Sequence, residues 1–181
     1  MSATETLRQD HQRIRRLEKV IEKCYKDLYA GKDIPLADIE KISFVISEFL
    51  DSIHYSREED SYFACVASYG NLKDEIRKFM IEHEFSRRIA KNISKHLRRL
   101  QVGENAREPL ARYLRTYHIY LTDHLKKEEE FFKASSEVLS SEEEKEMYEQ
   151  FQSVMAVSTK IQKIMEEIEY LEGRGWFTNN S

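Results

Sequence analysis

The chain has 181 residues, enough for one domain with a substantial core. Apolar residues make up 40% and charged residues 34%, with a net charge of −4 and no dominant basic block, so nothing in the composition asks for nucleic acid. Only 5 Gly and 2 Pro are present, which leaves room for few turns and implies a few long elements.

The opening stretch MSATETLRQDHQRIRR lacks the apolar centre of a secretory signal, and no run of about 18 apolar residues exists to span a membrane. Ser2-x-x-Glu5 predicts a capping box. Behind it Leu7, His11, Ile14, Leu17, Ile21, Cys24 and Leu28 recur at three- and four-residue steps, the pattern of an amphipathic helix that ends near Gly31. Asp33-Ile34-Pro35 restarts the chain. A second helix carries Ile39, Ile42, Ile46, Leu50, His54, Glu58 and Tyr62 on one face and stops near Gly70-Asn71.

A third helix carries Ile76, Phe79, Met80, His83, Ala90, Ile93 and Leu97 and stops near Gly103; its short basic run His96-Leu97-Arg98-Arg99 reads as a solvated end. Asn105-x-x-Glu108 predicts another capping box, with Pro109 in the first turn. The fourth helix carries Leu110, Leu114, Tyr117, Leu121, His124, Glu128 and Phe131. A fifth opens at Ser140-Ser141-Glu142-Glu143 and continues through Met147, Phe151, Val154, Ile161, Ile164, Ile168 and Leu171. No segment alternates like a strand. The expected fold is all-α: an up-down-up-down four-helix bundle over residues 1–135, with an additional C-terminal helix over 136–172 and a flexible tail over 173–181. The extra helix covers the side of the bundle or pairs with a second copy, so monomer and homodimer both stand. Cys24 and Cys65 lie far apart on core-facing patterns, the usage of reduced thiols in a cytoplasmic protein.

Four histidines occupy related places on four helices: His11 early in the first, His54 late in the second, His83 in the first half of the third and His124 late in the fourth. Alternating helix direction brings all four toward one end of the bundle. Four positions along a helix turn the chain only about 40° from its starting direction, so His54 and Glu58 share the core stripe, as do His124 and Glu128. A core-facing carboxylate must be hydrogen-bonded, protonated or metal-bound. Two carboxylates among four imidazoles suit a two-metal site with nitrogen ligands at its ends and carboxylates between. His96 and His118 fall off the main stripes, with His118 a lesser candidate for the site's surroundings. Glu59, Asp60, Glu129 and Glu130 read as a solvated acidic face, with Lys126 and Lys127 as partners. Tyr55, Tyr113, Tyr117 and Tyr120 read mainly as packing residues.

The pieces Asp10-His11-Gln12-Arg13, His54-Tyr55-Ser56-Arg57-Glu58-Glu59, Glu82-His83-Glu84-Phe85-Ser86-Arg87 and His124-Leu125-Lys126-Lys127-Glu128-Glu129 resemble, in order and spacing, those of the hemerythrin HHE cation-binding family. The resemblance spans residues from about 5 to 135. It implies a non-haem di-iron centre with an oxo or hydroxo bridge, bridging carboxylates at Glu58 and at Glu128 or Glu129, and binding of dioxygen, nitric oxide or peroxide, or iron sensing. Two departures qualify it. Oxygen-carrying members have a fifth histidine one turn after His83, where this chain has Arg87, which cannot ligate a cation and is expected to pair with a carboxylate near the site. The position after the helix-two histidine is often His or Glu, but here it is Tyr55, a candidate ligand or hydrogen-bonding neighbour. The oxygen carriers use the residue five after the last histidine, Glu129, whereas helical geometry favours Glu128. The readings are then a small-molecule-binding di-iron protein, a di-iron redox enzyme acting on peroxide, or an iron-sensing bundle. Other divalent metals accept the same donors.

Overall fold

Ser2 caps the first helix: Glu5 N donates to its Oγ at 3.1 Å, and its own N–H donates to Glu5 Oε2 at 2.9 Å. The structure is a computed structural model that describes residues 1–179. Helix α1 runs Ala3–Tyr29 and ends at Gly31, whose φ of +77° reverses the chain at little cost to a residue without Cβ. Helix α2 (residues 36–66) leaves the predicted α geometry. Its Leu36–Val45 turns are α-helical, Ile46–His54 and Glu58–Tyr62 are wound as π-helix, and Tyr55–Arg57 and Phe63–Val66 return to α. The wider turns sit where α2 delivers His54 and Glu58, a position at which such distortions concentrate. Helix α3 runs Lys73–Gln101 and α4 Arg107–Ser136. The capping box predicted at Asn105 does not form: Ala106 is the cap residue and gives no side-chain bond. Arg107 instead ties this end to the α1–α2 turn, donating to the carbonyls of Leu28 and Lys32.

The predicted fifth helix divides. Helix α5 (Ser141–Ser153) and α6 (Val157–Glu172) meet at an elbow where Ala156 has φ +58°, a left-handed conformation that costs an alanine energy. The reason lies in the surfaces to be covered. Met147 and Phe151 of α5 pack at the end that holds the α1 N-terminus, while Val157, Ile164, Ile168 and Leu171 of α6 enter the main core. One straight helix cannot serve both. Val154, predicted inward, is 53% exposed at the break. The chain expected to trail after Gly173 adds a turn, α7 (Gly175–Thr178), where Arg174 Nε and Trp176 Nε1 both donate to buried Asp38 Oδ2 at 2.9 Å. Residues 180–181 of that tail lie outside the described residues.

Among the described residues there is no strand, and no helix is long and apolar enough to cross a membrane. The buried apolar residues form two clusters. The larger is mainly aliphatic and takes Ile14, Leu17 and Ile21 from α1, Ile42 and Phe49 from α2, Ile93 from α3, Leu114 and Leu121 from α4, and the α6 residues. The smaller is aromatic, with Tyr62, Phe63, Phe79, Phe131, Phe132 and Phe151. Each such side chain, fully buried, stabilises by roughly 1.5–3 kcal/mol. On every bundle helix the histidine lies between the two clusters: His11 between Leu7 and Ile14, His83 between Phe79 and Ile89. The polar residues form a seam across an otherwise dry interior.

Candidate metal centre

All six residues singled out by the core stripes are buried. His54, Glu58, His83, His124 and Glu128 are fully enclosed, and His11 is 1% exposed. They converge from four helices. Glu128 lies centrally, with Oε2 3.2 Å from His11 Nε2 and 3.9 Å from His54 Nε2. Its Oε1 lies 3.0 Å from His124 Nε2 and 3.4 Å from His83 Nε2. Glu58 spans the other side, Oε1 3.6 Å from His54 Nε2 and Oε2 3.4 Å from His83 Nε2. Each carboxylate thus offers one oxygen to each histidine pair. His11, His54, Glu58 and Glu128 form one group compact enough for a cation, and His83, His124 and Glu128 form a second that shares Glu128.

These atoms have no other partner. The four Nε2 atoms and both oxygens of Glu58 and Glu128 are buried without a hydrogen bond. So many orphaned polar groups in one place would cost several kcal/mol unless a cation or protons bind there. Imidazole and carboxylate are the donors of iron, manganese and zinc, so the residues fit a metal pair.

Three of the four outer ring nitrogens are occupied. Nδ1 of His11 lies 2.8 Å from Glu129 Oε1, that of His83 2.7 Å from Glu59 Oε1, and that of His124 2.7 Å from Glu82 Oε2. His54 Nδ1 is 3.6 Å from Asp10 Oδ2. Contact with His11 holds the Glu129 carboxyl below the usual range, and contact with His124 does so for Glu82. Burial opposes the charge on Glu59, but His83 and Arg87 still keep it low. An ionised carboxylate only accepts, so Nδ1 of these three rings carries a proton, and the inward Nε2 is the nitrogen that offers a lone pair once a metal displaces its own proton. Arg87, which stands where a ligand is missing, donates from Nη2 to both oxygens of Glu59 at 2.9 and 3.0 Å. It is the expected carboxylate partner, and it braces His83 through Glu59.

Inside, burial and the charge on Glu128 push the Glu58 carboxyl well above its ordinary range. Burial would raise Glu128 too, but His124, His11 and His54 hold it well below. The two carboxyls are thus driven apart, Glu58 toward its protonated form and Glu128 toward its charged one. Burial alone would depress His124, yet Glu128 and Glu82 raise it to about 9.

Of the other candidates, Tyr55 lies beside the centre on α2. Its ring stacks on His83 at 3.8 Å between centroids, and its hydroxyl donates to Ser86 Oγ at 3.0 Å and lies 3.1 Å from the Tyr120 hydroxyl. Burial holds that phenol strongly protonated. Tyr117 accepts from Ser86 at 3.3 Å in the same hydroxyl cluster, and Tyr120 stacks on His124. His118 stands apart, between Glu18 and Glu22 at 3.8 Å and against Tyr25. His96, read as a solvated residue, is buried and stacks on Tyr113.

The sequence reading missed the role of the outer carboxylates. Glu59 was expected on a solvated face, and Glu129 either there or as a bridging ligand, yet each is partly covered and turned onto an imidazole of another helix. Asp10, Glu82 and the buried Arg57 were not singled out at all. A signal existed: the order acid–His, then His-x-x-x-Glu-Glu, occurs twice, as Asp10-His11 with His54 to Glu59 and as Glu82-His83 with His124 to Glu129. Neither a curated protein nor a solved structure matches the chain. The family model of the hemerythrin HHE cation binding domain matches residues 2–135, the greater part of the chain and all of the helices that build the centre. The chain therefore belongs to the hemerythrin HHE cation-binding family.

Proposed function

We propose that the centre holds two iron ions and that the protein binds or senses dioxygen or a related small molecule such as nitric oxide or peroxide. The observation that carries this reading is the shared Glu128, one oxygen toward each histidine pair, with Glu58 parallel to it. His11 and His54 would hold one ion, His83 and His124 the other, and Glu58 and Glu128 would bridge. When bound, the ions supply Lewis acidity and an open coordination position for a small ligand. With both carboxylates bridging, each ion would have two imidazoles and two carboxylate oxygens, and Arg87 in place of a fifth histidine leaves a position open on the His83–His124 side. Around it the chain supplies water exclusion by Phe79 and Phe131, imidazole orientation by Glu59 and Glu82, and hydroxyls on Tyr55 and Tyr120. The reduced, buried Cys24 thiol suits a cytoplasmic setting.

Elemental analysis of protein purified without added metal tests the reading. About two irons per chain, clearly reduced in His54→Ala, with absorption that responds to oxygen, azide and nitric oxide, is expected. No metal, or one zinc unaffected by the substitution, overturns it. The same open position, left by Arg87 where a ligand is missing, also favours a second reading, turnover of peroxide. Iron-dependent peroxide consumption lost in Glu58→Ala separates it from reversible binding. An iron sensor would instead show metal-dependent protection from proteolysis and a higher melting temperature with metal than without.

A further inference from the structure

One buried charge outside the metal-facing atoms is incompletely bonded. Arg57 is 6% exposed. Its Nη1 donates to Asp10 Oδ2 at 2.6 Å, and its guanidinium lies over the Phe151 ring at 5.4 Å. Its Nε is buried without an acceptor. A buried donor left unmatched costs about 1–3 kcal/mol, and more when charged. Arg57 also forms part of the wall of a cavity of about 140 Å³ between α2 and the α5–α6 elbow. Ser56, Ser61, Gln150, Phe151 and Val157 complete much of that wall. Ser61 donates to Gln150 Oε1 at 2.6 Å, which leaves the Gln150 amide NH₂ as a second donor.

Size and charge define the occupant. An apolar cavity of ~150 Å³ accepts a molecule such as benzene, so the space suits a body of a few carbons. Phe151 and Val157 supply apolar walls, and the guanidinium, with Nη1 on Asp10 and Nε closed off, leaves Nη2 as a charged donor for a carboxylate. Arg57 and Arg13 together exceed the single charge of Asp10 by one, and Asp60 stands apart at the exposed rim. A dianion such as phosphate would meet Asp10 and Asp60 without a second free cation. We propose that this cavity is a binding site for a short-chain monocarboxylate, its carboxylate on Arg57 and its alkyl chain against Phe151 and Val157.

Calorimetric titration of the full-length protein, as purified, with sodium butyrate tests this, with butyramide and inorganic phosphate as comparisons. Butyrate should bind at millimolar concentration, at least about tenfold more tightly than butyramide, the worth of one charge-assisted bond. Phosphate should give no matching heat. Ser56→Leu, which fills the cavity and leaves the Arg57–Asp10 pair intact, should abolish butyrate binding while metal content and the azide response stay unchanged. Val157→Phe closes the space from the opposite wall and serves if Ser56→Leu does not fold. Absence of butyrate binding, meaning a cavity filled by water alone, overturns the proposal. So does binding that persists in both cavity-filling variants, which would place the carboxylate at the metal centre, or phosphate binding as strong as that of butyrate.

Discussion

The two halves of the metal centre carry the same sequence pattern and sit in different surroundings. In the α1–α2 half, Asp10 faces His54 and is itself held by Arg57 and Arg13. Arg57 is buried, and α2 is wound as π-helix on either side of it. In the α3–α4 half, Glu82 takes the place of Asp10, and its cation is Lys127, whose side chain is 47% exposed. Both helices of this half are regular α-helices. The first half is a closed polar unit; the second is braced from the protein surface. The comparison teaches that one spacing rule can place equivalent ligands, while the residues behind them decide rigidity and access.

The largest effect should come from the atoms both halves share. On the proposed two-ion reading, Glu128→Ala removes a ligand from each group, so both ions should be lost together. Elemental analysis decides this, and retention of one full equivalent would mean the halves bind independently.

Next are the outer carboxylates. Asp10→Ala should destabilise the protein by about 3 kcal/mol, because it leaves the buried Arg57 charge unmatched. Glu82→Ala should cost under about 1 kcal/mol, since Lys127 can turn to water. Both should weaken metal binding by roughly 10–100-fold, through an imidazole that is no longer oriented. Equal losses in denaturant unfolding would erase the distinction drawn between the halves.

The pH dependence sharpens it further. In metal-free protein His124 is held at about 9, against an ordinary value of 6.5. Its protonation therefore stabilises the fold fully below about pH 6.5, and that contribution is lost as pH rises through 9. The melting temperature of metal-free protein should fall across this window, by an amount worth roughly 3 kcal/mol at most. Protons and metal compete for His124, so the extra stability conferred by a bound metal should grow over the same range. A metal-free melting temperature that is flat between pH 6 and 9 (roughly the window set by the shift) would contradict the charge pairing of His124 with Glu128 and Glu82.

The smallest effect should be that of Lys127→Ala. As an exposed partner it should change stability by about 0.5 kcal/mol or less and leave metal content intact. A loss comparable to that of Asp10→Ala would show that the second half depends on its surface cation as the first does on Arg57.

Much of this arrangement was legible before any coordinates. Helix positions, the cap at Ser2, the shared end for four histidines and the preference for Glu128 over Glu129 as the inward carboxylate all follow from a 3.6-residue repeat and alternating direction. Those properties are local: each depends on residues within one or two turns of one another. The partners of the outer nitrogens are not local. Glu129 reaches His11 across 118 residues, Glu82 reaches His124 across 42 and Glu59 reaches His83 across 24. An acidic residue beside a ligand looks the same in sequence whether it faces water or an imidazole, so Glu59 reads as surface and Glu129 as surface or ligand. The π-wound turns of α2, the burial of Arg57 and the elbow at Ala156 were likewise decided by packing. Two clusters on different faces had to be covered, and four helices had to aim their side chains at one volume. The sequence by itself determined which residues point inward and from which end of the bundle; the tertiary structure alone decided what stands behind them, because hydrogen-bond partners are chosen by distance in space and not by separation along the chain.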